Sequence, residues 1–353
     1  MNRLLNNILK NVSIVGKTSL CFVLSILLTG CGDDGSAASG EKGNGADSNS
    51  DASPDNNDTD NHNLIADHTV SKESVLRRIP EAAITAAKEN LIILYNGTSH
   101  STQVLNGMRG LEQYKSGDDD RFALSMNADT PSPTALDIRY NYIGGDHLDN
   151  DAIGESGYPQ YYDSTVRYLD EHEEVNVVVW GWHNSDGHDV QIYLDAFDAL
   201  IDLYRAGGTR GRTEANDVTF VFMSGRAFGN AGDDPDAVNS PFVNAEKIRE
   251  HCIAGGYLMI DYWRQDVYHY ETNEYDPYVD SDANPLHYDY VTTHTLGEDW
   301  FESRNFITGD VEYAAHTDEN PDYLQHLTGN IRAYGAWWVW ARAAGWDGVL
   351  EEN

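Results

Sequence analysis

Ser99 is the residue whose type and setting most readily support chemistry. It stands in Gly97-Thr98-Ser99-His100, directly after the apolar run Leu91-Ile92-Ile93-Leu94-Tyr95. A glycine lets the chain turn sharply at a strand end. A serine opening the next helix then has an exposed hydroxyl and neighbouring amides free to stabilise an oxyanion. The alternative is a helix cap provided by Thr98 or Ser99. A serine nucleophile needs a base, and two C-terminal histidines are candidates: His316, in Asp310-Val311-Glu312-Tyr313-Ala314-Ala315-His316, and His326, in Asp322-Tyr323-Leu324-Gln325-His326. Spacing does not choose between them. Asn184, in the donor-rich stretch Trp180 to His188, has an amide to offer an oxyanion, and His183 and His188 beside it are metal-ligand types or loop residues. Ser224-Gly225-Arg226 and Asp261-Tyr262-Trp263-Arg264 read as pocket walls.

These residues follow apolar runs that must be strands: Leu91 to Tyr95, Val175 to Trp180, Val218 to Met223 and Tyr257 to Ile260. Near-continuous β-branched and apolar runs suit parallel strands covered on both faces. Between them, Val190 to Tyr204 places Val190, Tyr193, Leu194, Phe197, Leu200, Ile201 and Tyr204 on one helical face. Asn244 to Cys252 and the Trp- and Ala-rich Ala333 to Ala344 read as further helices. Strand-helix alternation predicts an α/β sandwich with right-handed crossovers, in which the loops at the carboxyl ends of the strands form the ligand crevice.

The chain has 353 residues, with 23 Lys and Arg against 58 Asp and Glu, a formal net charge of −35. Such an excess disfavours nucleic acid and anionic membrane surfaces as partners and suits solubility at high ionic strength, as in a saline habitat. Residues 71–353 alone carry −30 of it. Residues 1–30 hold Arg3, Lys10 and Lys17, then an apolar run, and end at Leu28-Thr29-Gly30-Cys31, a signal peptide that looks like a bacterial lipobox with Cys31 as the lipidated residue. Residues 31–70 are Gly, Ser, Asn and Asp with little to bury and are expected to be a disordered acidic tether, followed by one domain over 71–353. The expected location is the bacterial cell envelope, with lipid on Cys31 as the only membrane contact. Cys252 is then the single cysteine of the domain, so no internal disulfide forms.

An ordered series of blocks from about residue 90 to 348 resembles the SGNH, or GDSL-like, hydrolase superfamily, and more closely a set of secreted bacterial SGNH-like proteins. The blocks are Gly97-Thr98-Ser99-His100, Gly144-Gly145-Asp146, Val177 to Trp182, YLDAFDAL, VTFVFMSGRA, NAEKIREHC, LMID and WWVWARAAGWDG. The resemblance implies a flavodoxin-like three-layer sandwich around a central parallel sheet. It also implies Ser99 as nucleophile, an oxyanion hole from the amides of Ser99 and Gly145 with the Asn184 side chain, and a C-terminal His as base. His316, in an Ala-His-Thr setting similar to the family's, is preferred, oriented by Glu312 or by Asp310 as the rival acid; His326 is the rival base. The chain departs from the family where it has Gly181-Trp182-His183-Asn184 for Gly-x-Asn-Asp, and Tyr313 or Tyr323 for the Asp of Asp-x-x-His.

The chemistry expected is ester hydrolysis with no metal or organic cofactor, acting on a small-molecule or polysaccharide ester. The aromatic stretch Tyr262, Trp263, Tyr268, Tyr270, Tyr275 and Tyr278 offers rings to stack on sugars, which points to acetyl groups of a polysaccharide. Two other classes compete. One is a non-catalytic carbohydrate-binding lipoprotein with a degenerate site. The other is a calcium-stabilised surface protein, suggested by the alternating oxygen ligands of Asp280-Ser281-Asp282-Ala283-Asn284.

Overall fold

Seven parallel strands form one sheet: β1 (Ile65–Ala66), β2 (Ile92–Asn96), β3 (Leu124–Met126), β4 (Leu136–Tyr140), β5 (Val177–Trp180), β6 (Thr219–Met223) and β7 (Met259–Ile260), in the order β1-β7-β6-β5-β2-β4-β3. The computed structural model describes residues 64–140, 148, 151–182, 184–212, 217–229, 234, 236–311 and 324–352. Ile93 lies opposite Val177 on one side and Ile138 on the other, so β2 lies inside the sheet between β4 and β5. From β2 the chain runs to the edge strand β3, returns to β4, and then crosses to β5 and on to β6 and β7. The helices that follow β2 and β5 pack on opposite faces, so the loops leaving these two strands diverge at the carboxyl end, where α/β sheets form their crevice.

Side-chain alternation along the strands divides the core into two layers. Ile93, Tyr95, Val177, Val179, Val221 and Met223 face α1 (Glu81–Asn90), α2 (Gln103–Leu111) and a C-terminal helix at Leu324–Ala343 that contributes Ala333, Trp337 and Trp340. Leu94, Val178, Trp180, Phe220 and Phe222 face α3 (Gln160–Glu171), α4 (Val190–Tyr204) and α5 (Pro241–Gly255). Helices on both faces make this an α/β three-layer sandwich, and strands buried on both faces explain the continuous apolar runs. Two short helices, α6 (Tyr262–Val267) and α7 (Pro285–Thr293), follow β7, and the C-terminal helix is α8. Local chemistry sets the ends: Ser240 accepts from Val243 N–H with Pro241 in the first turn of α5, and Asn284 accepts from Leu286 and His287 N–H at the start of α7. The two helices α2 and α8 touch backbone to backbone, since a Cβ on Gly107 would lie 1.8 Å from the Gly329 carbonyl oxygen.

Three expectations need correction. The sheet takes in Ile65–Ala66, both buried and paired with Met259 and Ile260, so ordered structure begins inside the stretch assigned to the tether. The strands β3 and β4 were not foreseen, because Leu136-Asp137-Ile138-Arg139-Tyr140 mixes charged and apolar residues. Helix α8 starts at Leu324, well before Ala333. The Cys252 thiol is buried and unpaired, with burial pushing its pKa well up.

Candidate active site

Strand β2 ends at Asn96, and Thr98 leads in extended conformation into a 3-10 turn, Ser99–Thr102, that runs on into α2. Ser99 sits in the left-handed region at φ 51°; the other described non-glycine residues with positive φ are Asn127, Asn239 and Asn273. Asparagine tolerates that region far better than serine, so Ser99 stores strain on the order of 1 kcal/mol or more. Its surroundings hold it there. The Tyr95 hydroxyl donates to the Ser101 carbonyl at 2.6 Å, and the Tyr262 hydroxyl lies 3.1 Å from the carbonyls of both His100 and Ser101. Ser101 Oγ donates to Thr98 O at 2.9 Å, and Thr102 Oγ1 to Ser99 O at 2.6 Å. The buried Ser101 side chain fills the space that side chains at Gly97 and Gly181 would need, with a Cβ on either lying 2.2 Å and 2.4 Å from its atoms. No side-chain cap bond forms at this turn, so the helix-cap reading of Thr98 and Ser99 fails.

The exposed Ser99 hydroxyl meets His100: Oγ lies 3.3 Å from Nδ1, and Nε2 of the same ring lies 2.7 Å from Asp282 Oδ1. An ionised carboxylate only accepts, so Nε2 carries the proton and Nδ1 turns its lone pair to the serine. Asp282 Oδ2 also accepts from Arg226 at 2.9 Å, and its carboxyl is held down to about 2, first by the His100 hydrogen bond. The segment carrying it is fixed by Asp280, whose Oδ1 takes the Asp282 N–H and Arg226, each at 2.9 Å.

Behind this lies a second tier. Gln325 donates to Asp282 at 3.4 Å and accepts from Gln103 at 2.8 Å. Gln103 accepts in turn from Arg332, which makes two 3.0 Å bonds to Asp266 and lies 3.9 Å over the Tyr262 ring. Arg332 and Asp266 are both buried. Asp280 Oδ1, both oxygens of Asp282 and the Ser281 hydroxyl thus meet protein donors, and Asn284 Oδ1 is spent on the α7 cap. These bonds compete with the calcium reading for its ligands, and no cluster of metal-ligand side chains occurs among the described residues.

The sequence candidates are placed unevenly. Asn184 is half-buried, with Oδ1 accepting from Asp186 N–H at 3.1 Å and its amide NH2 engaged by no described residue. Among the described residues the Ser99 hydroxyl is not brought to His326. That ring is fully buried in the first turn of α8, with Nδ1 accepting from Ser303 N–H at 2.9 Å and its face stacked on Trp300. Asp310 is exposed in a turn closed by Asn305 N–H to its carbonyl at 2.8 Å. Gly145, Glu312, His316 and Cys31 lie outside the described residues. Of the aromatic stretch, Tyr262 and Trp263 are buried and Tyr268 is stacked on His68, so packing claims much of it; Tyr275 and Tyr278 remain exposed.

Sequence reasoning does not bring His100, Asp282 and Arg226 together beside Ser99. His100 directly follows the nucleophile candidate, which was a usable signal, whereas Asp282 is 182 positions away and was disguised as a calcium ligand. Asn96 was missed too: it is fully buried and both its side-chain polar atoms lack partners. Comparisons of the chain with known protein families, with curated proteins and with solved structures find no match.

Proposed function

We propose that this chain is a serine esterase of SGNH type, lipid-anchored through Cys31 at a bacterial cell surface and acting on an ester such as the acetyl groups of a polysaccharide. The observation that carries the reading is the chain of contacts from strained, exposed Ser99 through His100 to Asp282. Ser99 Oγ attacks the ester carbonyl as its proton passes to His100 Nδ1, and Asp282 stabilises the imidazolium that forms. The proton then goes to the leaving alcohol, and water resolves the acyl-enzyme by the reverse route. The Ser99 N–H, which opens its turn, and the Asn184 amide supply oxyanion donors, joined by Gly145 N–H from the resemblance. The parallel order with β2 between β4 and β5 supports a flavodoxin-like arrangement with the site at the diverging loops.

The test is hydrolysis of p-nitrophenyl acetate and acetylated xylan by the full chain in detergent and high salt. Ser99→Ala is expected to abolish turnover, and His100→Ala and Asp282→Asn to lower kcat by about 10²–10⁴-fold. His316, with Glu312 or Asp310 behind it, is the base that the resemblance assigns. Turnover lost in His316→Ala but kept in His100→Ala moves the base to the C-terminal segment. No turnover by folded wild-type protein on either substrate sinks the esterase reading and leaves a non-catalytic carbohydrate-binding protein.

A further inference from the structure

The loops that leave β5, β6 and β7 enclose a cleft of about 400 Å³ lined by Phe228, Phe242, Trp263 and Tyr278 together with Asp186 and Asp234. Separate elements set the rings. Phe228 follows β6 and pairs with Asp280 in an isolated antiparallel bridge, which the adjoining Gly229 N–H extends by donating to Val279 O at 3.1 Å. Phe242 is fixed by the capped first turn of α5, and Trp263, in α6, lies 5.1 Å from it. Trp263 is almost fully covered, Phe228 and Phe242 are half-buried, and Tyr278 is 40% exposed, so the rings grade from floor to rim.

The cleft shares its walls with the reacting groups. Arg226, two residues before Phe228, sits 4.7 Å over that ring and binds both Asp280 and Asp282. Asp186, another lining residue, donates its backbone N–H to Asn184 Oδ1. A pyranose ring has apolar C–H faces that cover aromatic rings and hydroxyls that donate to carboxylates, which can only accept. A uronate or sulfated sugar would instead bring its charge against Asp186 and Asp234, and no Lys, Arg or His lines the cleft among the described residues.

We infer that this cleft binds the uncharged sugar rings of a glycan, and, where it rests on the esterase reading, that it holds the polymer part of the ester whose acyl group reaches Ser99. The test is calorimetric titration of the full chain carrying Ser99→Ala with xylohexaose, cellohexaose and mannohexaose, beside hexagalacturonate. At least one neutral hexamer is expected to bind with Kd on the order of 0.1–1 mM, and hexagalacturonate at least about tenfold more weakly. Phe242→Ala is expected to weaken the neutral ligand about tenfold, and Tyr278→Ala, at the exposed rim, by a smaller factor in a protein with the parent melting curve. The inference is overturned if none of the neutral hexamers binds, if hexagalacturonate binds as well as they do, or if both ring variants fold and bind like the parent. Because binding is read in the inactive variant, turnover without binding sinks the cleft alone, and binding without wild-type turnover sinks the esterase alone.

Discussion

Arg249 and Arg332 are both buried against buried aspartates at the carboxyl ends of the strands, and their surroundings end differently. Arg249 bonds Asp261 at 2.9 Å and Asp67 at 3.3 Å. Asp261 also takes Ser224 Oγ at 3.1 Å and Arg264 N–H at 3.2 Å, while Asp67 takes Thr69 at 2.9 and 2.6 Å. Burial works against the Asp67 charge, yet Arg249 and its other donors bring the pKa down. That cluster ties β1, β7 and α5 together and runs on through Arg264 to the partly exposed Glu246. The Arg332 cluster instead passes through Gln103, Gln325, Asp282 and His100 to a hydroxyl in solvent. Buried charge pairs occur in both places and do not by themselves mark a functional site; what sets the proposed site apart is the path from such a pair to the exposed hydroxyl of Ser99.

The largest effects come from breaking each cluster at its arginine. Arg249→Met and Arg332→Met each leave a buried carboxylate uncompensated and are expected to cost about 3–5 kcal/mol in denaturant unfolding. They should separate in kinetics: the folded fraction of Arg332→Met loses at least about tenfold in kcat, because Gln103 and Gln325 lose their anchor, while Arg249→Met keeps the parent kcat. Equal kcat losses would erase the distinction between the clusters.

A smaller effect concerns pH. His287 lies fully buried against the open cluster, between Thr328 Oγ1 at 2.9 Å and Gln265 O at 3.4 Å, and burial lowers its pKa to about 4. The unfolded chain takes up this proton near pH 6.5 and the folded chain only near 4, so its share of stability is intact above about 6.5 and falls as pH drops through that window. The expected slope is about 1.4 kcal/mol per pH unit, absent in His287→Gln. Parallel stability curves for the two proteins between pH 4.5 and 6.5 would show that the ring is not held neutral.

The smallest effect sharpens the comparison at the open end. Ser99→Gly removes the left-handed strain and is expected to raise stability by about 0.5–1 kcal/mol while removing the proposed nucleophile. A lower melting temperature would mean that Ser99 stores no strain.

What the sequence made legible was what one segment can state by itself. The runs at β2, β5, β6 and β7 and the helix at Val190–Tyr204 announce themselves because burial on both faces demands continuous apolar residues, or on one face a helical stripe. The strand β1 hides because two residues cannot make a pattern, and β4 because Asp137 and Arg139 break one. Ser99 was readable from the turn it must make after a strand. Its partnership with Asp282 was not, since the loop after β7 meets the turn after β2 only once the sheet has placed them.

The contact between Gly107 and Gly329 stands four residues along each helix from Gln103 and Gln325, so both pairs lie on one seam between α2 and α8. One end of that seam is bare backbone and the other is the hydrogen bond that steadies Asp282. The spacing of the two helices therefore serves core and site together: a single methyl added at Gly107 would push against the Gly329 carbonyl, and the displacement would pass along the seam to Gln325 and Asp282.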